Sequence, residues 1–288
     1  MFNEIERFVK WIRRRNPNAH TWRDYRCDLQ QFADAVGDRP PTDISFKDID
    51  NFITSQTGRG LNPATVNRRL AAITSFYAFL SDEFPNIVCP VLPHRHILRE
   101  RRRLPRPVPE GDLKQFLAVI DNTRDWAMFL LMLRCGLRIS EVAKLRLRDI
   151  YLDESPQRLL VHGKNSKERT VYLSAQAAYA LRQYLAERPS AASNFVFLSY
   201  QNDGMSTTAI HKRLMHYRKK AGVHLTAHQL RHSFANDLVC AEVPVTSIQK
   251  LLGHFWLTTT QTYVAANDPQ VQADFFAAAQ RLEGWQNE

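Results

Sequence analysis

The sequence predicts a mainly α-helical protein with a small antiparallel β-sheet, an α+β chain folded in two parts. Three observations predict it. Apolar residues recur at helical spacing through the first hundred positions. One pair of alternating, β-branched runs flanks a polar turn further on. Between the two parts lies a stretch crowded with proline and arginine, which breaks helices and stiffens extended chain. At 288 residues the chain is long for one average domain and comfortable for two.

The first part reads as four short amphipathic helices around one small core. Phe2, Ile5, Phe8, Val9 and Ile12 share a helical face, as do Trp22, Tyr25, Leu29, Phe32 and Val36, ended by Gly37. Ser45 with Asp48 three residues on forms a capping pattern ahead of Phe46, Ile49, Phe52 and Ile53. Asn62 followed by Pro63 marks a fourth start, with Val66, Leu70, Ile73 and Phe76 behind it. Residues 84–110 then carry Pro85, Pro90, Pro93, Pro105, Pro107 and Pro109, and Arg95, Arg99, Arg101, Arg102, Arg103 and Arg106 crowd against Glu100 alone. The division is therefore a helical domain over 1–94, a basic linker over 95–108 and a second domain over 109–288.

In the second domain helices read at about 111–121, 124–134 and 140–146, the middle one apolar nearly all round and so expected to be buried. Residues 158–174, "RLLVHGKNSKERTVYLS", read as a hairpin, and "NFVFLS" at 194–199 as a third strand. Helices resume at 175–188, 207–221, 227–240 and 246–252, with a last one over 269–283 opened by Asp268 and Pro269. Helices and strands do not alternate as βαβ units would require.

A hydrophobic content of 44 % and a charged content of 24 % are ordinary for a soluble chain that buries a core. The net charge of +10 calls for a polyanionic partner, nucleic acid or an anionic membrane surface. The basic residues gather at a domain junction and not on one amphipathic helix, which favours phosphates tracked by the linker over a membrane. Cys27, Cys89, Cys135 and Cys240 show no C-x-x-C spacing, against a zinc site or a disulfide framework. The longest apolar run, Trp126 to Leu133, is far short of the ~20 residues that cross a bilayer. The N-terminus has no apolar segment of the signal-peptide kind, so a cytoplasmic protein is expected.

No glycine-rich nucleotide loop and no H-E-x-x-H occurs. What the sequence offers is a set of cations and donors near polar helix starts. His228 and Arg231 share a helix face inside a Thr226 cap; Arg138 follows Gly136 and Leu137; Lys164 sits at the hairpin tip; His254 follows Gly253, nine residues before Tyr263. Each alone is most simply a surface or half-buried residue. Together they are what attack on a phosphodiester requires: guanidinium forks for the non-bridging oxygens, a phenol as nucleophile and a lysine to protonate the departing oxygen.

The motifs resemble those of the tyrosine recombinase (phage integrase) family, most closely its Xer-type, simple two-domain members. Gly136-Leu137-Arg138-Ile139-Ser140-Glu141 is similar to the family's first catalytic box, and His228-Gln229-Leu230-Arg231-His232-Ser233-Phe234-Ala235 to its second. Leu252-Gly253-His254 and the "TTTQTYV" around Tyr263 follow in family order, and Gly163-Lys164 matches the β-turn lysine. Cys135 stands where threonine is common, and "YVAAND" replaces the frequent Tyr-Thr-His ending.

The resemblance implies an N-terminal four-helix SAM-like core-binding domain and a C-terminal catalytic domain that close on double-stranded DNA as a C. It implies a site-specific recombinase in which Tyr263 attacks a DNA phosphate to give a 3′-phosphotyrosine and a free 5′-hydroxyl. Arg138 and Arg231 would clamp the phosphate, His228 assist as base or donor, Lys164 act as general acid, His254 bind the phosphate and Glu141 brace the first box. No cofactor and no metal are expected. It further implies an inverted-repeat-type site and a homotetramer, or a heterotetramer with a related recombinase, with helix 269–283 docked on a neighbour. The four-helix unit begins at the first residues, which favours an Xer-like or resolvase role. Two alternatives stay open: DNA relaxation of the type IB topoisomerase kind, and a non-catalytic DNA-binding protein on the same fold.

Overall fold

The computed structural model describes residues 1–15, 17, 21–100, 107–163 and 168–253, and the chain divides into two units, Met1–Arg102 and Arg103–Glu288. In the first unit, helices α1 (Phe2–Arg15), α2 (Thr21–Val36), α3 (Phe46–Gly58) and α4 (Pro63–Ser81) enclose a core built from Ile5, Phe8, Leu29, Phe32, Ile49, Phe52, Ile73 and Phe76, each at most 2 % exposed. Edge-on ring pairs fasten it: Phe8 meets Phe76 at 5.6 Å and Phe32 meets Phe52 at 5.2 Å between centroids.

The helix starts and stops follow the local chemistry. Gly37, at φ +78°, ends α2 in a left-handed turn whose amide donates to the Ala33 carbonyl. The Asp48 carboxylate accepts from the Ser45 amide and from the Ser45 hydroxyl at the head of α3. The Asn62 side chain accepts from the Ala64 amide at the head of α4. One buried carboxylate, Asp28, is gripped by both terminal nitrogens of Arg68, at 2.5 and 3.0 Å.

Residues 93–100 are fastened to this first unit. A short helix, α5 (Pro93–His96), directs Arg95 onto Asp50, with Nε 2.9 Å from Oδ1 and Nη2 2.6 Å from Oδ2. Asn67 donates to the Leu98 carbonyl and accepts from the Leu98 amide. Arg95, read from the sequence as a DNA contact, thus has its fork engaged within its own unit, while Arg99 is exposed. Arg101, Arg102, Arg103 and Arg106 lie outside the described residues.

The second unit packs α6 (Glu110–Ala118), α8 (Ile139–Lys144), α9 (Ala175–Glu187), α10 (Thr207–Ala221) and α11 (Ala227–Cys240) about α7 (Thr123–Arg134). In α7 every residue from Ala127 to Leu133 is 1 % exposed or less, as a helix apolar on all sides must be. A last described helix, α12 (Val245–Leu252), closes on α11 through Ile248, Leu252, Ala235 and Val239.

The hairpin forms with strands β2 (Arg158–His162) and β3 (Glu168–Tyr172), Leu159 facing Val171 and Val161 facing Arg169. The third strand is β1 (Ile150–Tyr151), paired antiparallel to β2, and not 194–199 as the sequence suggests. Residues 194–199 make single bridges, Arg146 with Phe195 and Leu198 with Gly204. Their backbone is divided between partners: the Asn194 carbonyl accepts from the Leu147 amide, the Val196 amide donates to the Leu145 carbonyl, and the Phe197 carbonyl accepts from the Met205 amide. No one segment runs beside them far enough to build a ladder. The expected helix at 269–283 lies outside the described residues.

Candidate functional site

Two left-handed glycine turns build the site. At the end of α7 the amides of Cys135 and Leu137 both donate to the Leu131 carbonyl, and Gly136 between them sits at φ +65°. A methyl group at Gly136 would come within 2.4 Å of the Phe234 ring, so both the backbone angle and the space require glycine. This turn delivers Arg138 to the N-cap of α8, and there the Glu141 carboxylate reaches back to accept from the Arg138 amide at 2.8 Å. The second turn, Gly253 at φ +60°, ends α12 one residue before His254.

Helix α11 supplies the second group. Its Thr226 hydroxyl caps the Gln229 amide, which sets His228 and Arg231 three residues apart on one face. Arg231 is 2 % exposed and its two terminal nitrogens donate to the carbonyls of Gly136 and Leu252. One guanidinium therefore ties the turn before Arg138 to the end of α12, where the last-turn carbonyls would otherwise lack donors. Ser233, buried beside it, accepts from the Val108 amide at 3.1 Å.

Glu141 is the hub. Its side chain is 3 % exposed and lies 2.9 Å from Arg138 Nη1, 2.6 Å from Arg169 Nη1 and 4.0 Å from Arg231 Nη1. Burial alone would raise its pKa, but the hydrogen bonds and charge of Arg169, with the amide and charge of Arg138, hold it below the ordinary carboxylate value. Glu141 is thus ionised at neutral pH among three cations. The Arg138 side chain remains 40 % exposed. Three guanidiniums around one carboxylate leave the cluster net positive, and Arg138 is its exposed member.

His228 and His232 face one another edge-on, ring centroids 4.1 Å apart. Burial, then the charges of Arg231 and Arg138, push His228 below its usual value; burial, then His228 and Arg231, bring His232 down to about 4. Both rings are neutral at neutral pH, so His228 can accept a proton. The depression has a stability consequence. The folded pKa of His232, about 4, lies below the 6.5 of the free side chain, so on acidification the unfolded chain takes up the proton first. The associated stability is full above about pH 6.5 and is lost as pH falls toward 4. Thermal melts across that window should show Tm falling with acid, and His232→Asn should flatten part of the slope; an unaltered slope would refute the assignment. Cys135, beside Gly136, is buried and its thiol is pushed up to about 12, so it is no nucleophile.

Of the residues singled out in the sequence, the structure gathers Arg138, Glu141, His228 and Arg231. Lys164, His254 and Tyr263 lie outside the described residues. Arg169 is the site residue that sequence reasoning passed over. A signal for it existed: in β3 it is two residues from buried Val171 and opposite buried Val161, which puts an arginine on the inward face. A second basic surface surrounds α10, where Lys212, Arg218 and Lys219 line an open depression.

Comparison with known proteins gives a consistent set of likenesses. The profile of the phage integrase family matches residues 108–270, and that of the phage integrase N-terminal SAM-like domain matches residues 5–83. Tyrosine recombinase XerC of Pelotomaculum thermopropionicum is 31 % identical, over 99 % of this chain and 100 % of the relative. The XerC of Roseiflexus sp. is 32 % identical, over 93 % and 90 % of the two chains. Among solved structures, XerH recombinase bound to palindromic difH substrate in a post-cleavage complex superposes with a TM-score of 0.78 at 21 % identity, covering 95 % of this chain and 84 % of the other. A λ integrase (75–356) dimer bound to a COC′ core site gives 0.73 at 17 % identity, covering 91 % and 94 %.

Proposed function

The chain belongs to the phage integrase family, and from that premise we propose how its site cuts and rejoins DNA. It is a tyrosine-type site-specific recombinase, and its partner is double-stranded DNA. The observation that carries the mechanism is the cluster around Glu141: two family-box arginines, Arg138 and Arg231, held within 4.0 Å of one buried carboxylate and beside a neutral histidine.

In this reading Tyr263 attacks the scissile phosphate. A P–O bond forms to the phenol oxygen and the P–O bond to the 5′ oxygen breaks, leaving a 3′-phosphotyrosine. Arg138 and Arg231 stabilise the charge that spreads over the non-bridging oxygens as phosphorus passes through five-coordination. His228 takes the phenol proton and Lys164 protonates the departing 5′ oxygen. His254 donates a hydrogen bond to the same phosphate. The covalent bond conserves the energy of the one broken, so rejoining is the same path in reverse with a 5′-hydroxyl from a second site.

The basic depression beside α10 and the arginines of 99–106 supply backbone contacts along the duplex, which explains where a net charge of +10 is used. Exchange between two sites takes four protomers, and the apolar face of 269–283 (Val271, Phe275, Phe276, Ala279, Leu282) serves as the contact between neighbours. Such an enzyme works on nucleoid DNA in the cytoplasm.

The experiment that tests the reading compares two plasmids. One carries, twice, a sequence that the protein selects from a random duplex pool; the other carries none. Site-dependent exchange on the first and no relaxation of the second is expected. Relaxation of both at equal rates would mean a type IB topoisomerase activity, and no covalent adduct on either would mean a DNA-binding protein only.

A further inference from the structure

We infer that Arg169 is a positioning residue that occupies Glu141 so that Arg138 stays directed at the DNA phosphate. This rests on the reading of Arg138 as a phosphate clamp. The geometry is a two-point grip: Arg169 Nη1 lies 2.6 Å from Oε1 and Nη2 3.0 Å from Oε2 of Glu141. Arg138 touches the same carboxylate side chain to side chain through Nη1 alone, at 2.9 Å, besides its backbone amide. Among the described residues nothing else takes the Arg138 fork, and that side chain is 40 % exposed against 12 % for Arg169.

The division between the two arginines has a physical cause. A carboxylate buried to this degree must be neutralised by hydrogen-bonded cations. Arg169 does this from inside, anchored on the inward face of β3 and fixed again where its Nε donates to the Leu251 carbonyl at 3.2 Å. Gly253 completes the fit, because a methyl group there would come within 2.8 Å of Arg169 Cδ. Without Arg169, the nearest exposed guanidinium among the described residues able to satisfy Glu141 at both oxygens is Arg138. The clamp would then fold down onto the carboxylate and its charge would be cancelled internally. Arg169 also links β3, the strand that follows Lys164 in the chain, to the end of α12, which precedes His254.

The test is single-turnover adduct formation on a nicked duplex built on a sequence that the wild-type protein selects from a random pool. Arg169→Gln should form adduct about 10- to 100-fold more slowly, part of the ~10²–10³ that one transition-state donor is worth, while binding the duplex with near wild-type affinity. The double variant Arg169→Gln with Glu141→Gln should recover about tenfold of that loss, because a neutral amide does not capture Arg138 but still accepts its backbone N–H. A double variant as slow as the single one, or slower, would overturn the proposal in favour of a merely structural Arg169. If Arg169→Gln does not fold, as judged by its thermal melt, Arg169→Lys with and without Glu141→Gln gives the same comparison: a one-point ammonium slows the reaction and the second change restores it. Arg138→Ala separates the two levels. Adduct formation at the wild-type rate in that variant would sink the clamp reading itself, whereas a dead Arg138→Ala beside an unrescued double variant would sink only the role of Arg169.

Discussion

Tyr263→Phe is expected to abolish covalent attachment to DNA, a loss of roughly 10⁴-fold or more, because without the phenol oxygen no phosphotyrosine can form. Binding should hardly change, since the hydroxyl is small and the phosphate contacts are assigned to arginines in the proposed mechanism. The two readouts together distinguish chemistry from recognition. The chain has nine tyrosines, so the comparison is informative only against the others. Tyr77 and Tyr217 are fully buried, and burial pushes both phenols well above their usual values, which makes them poor nucleophiles. Tyr179 and Tyr200 are exposed, and their phenylalanine variants should form adduct at the wild-type rate.

The second large effect is expected at Arg231, where activity and stability fall together. Arg231→Ala removes donors from the Gly136 and Leu252 carbonyls and a cation from beside buried Glu141. Leaving two buried carbonyls without these donors, and Glu141 with one cation fewer beside it, costs about 3 kcal/mol or more. Adduct formation should drop about 10²–10³-fold as the clamp loses one arm. Arg231→Lys sharpens the comparison. A single ammonium keeps the charge near Glu141 but lacks the planar fork whose two nitrogens reach the Gly136 and Leu252 carbonyls separately, so part of the stability returns and most of the rate does not. Wild-type kinetics in Arg231→Lys, measured under single turnover, would contradict the role of a planar fork.

Much of this architecture is legible in the sequence, and the parts that are not have identifiable causes. Helices with recurrent apolar residues and a cap, such as those starting at Ser45 and Asn62, appear where the pattern puts them because local chemistry and packing agree. The apolar run at 126–133 declares its own burial. Residues 194–199 mislead because a short apolar run reports a buried extended chain and not the identity of its partner; here the backbone is shared out among Leu145, Leu147 and Met205. In the site, Arg138, Glu141, His228 and Arg231 are recognisable from motif spacing, but what Glu141 does is not. Its two oxygens are claimed across the fold by Arg169, 28 residues away, and no local pattern encodes that pairing. Arg95 shows the converse: in a row of six arginines it looks like the others, and only the fold reveals Asp50 beside it.

Tyr263 is proposed to carry DNA through its phenol oxygen on a 3′ phosphate. The direct measurement is mass spectrometry of the proteolysed adduct trapped on the nicked duplex, with end analysis of the released strand. One modified peptide is expected, with the nucleotide on Tyr263, and a free 5′-hydroxyl on the released strand. A nucleotide on any other residue, or a 5′-phosphate on that strand, would contradict it.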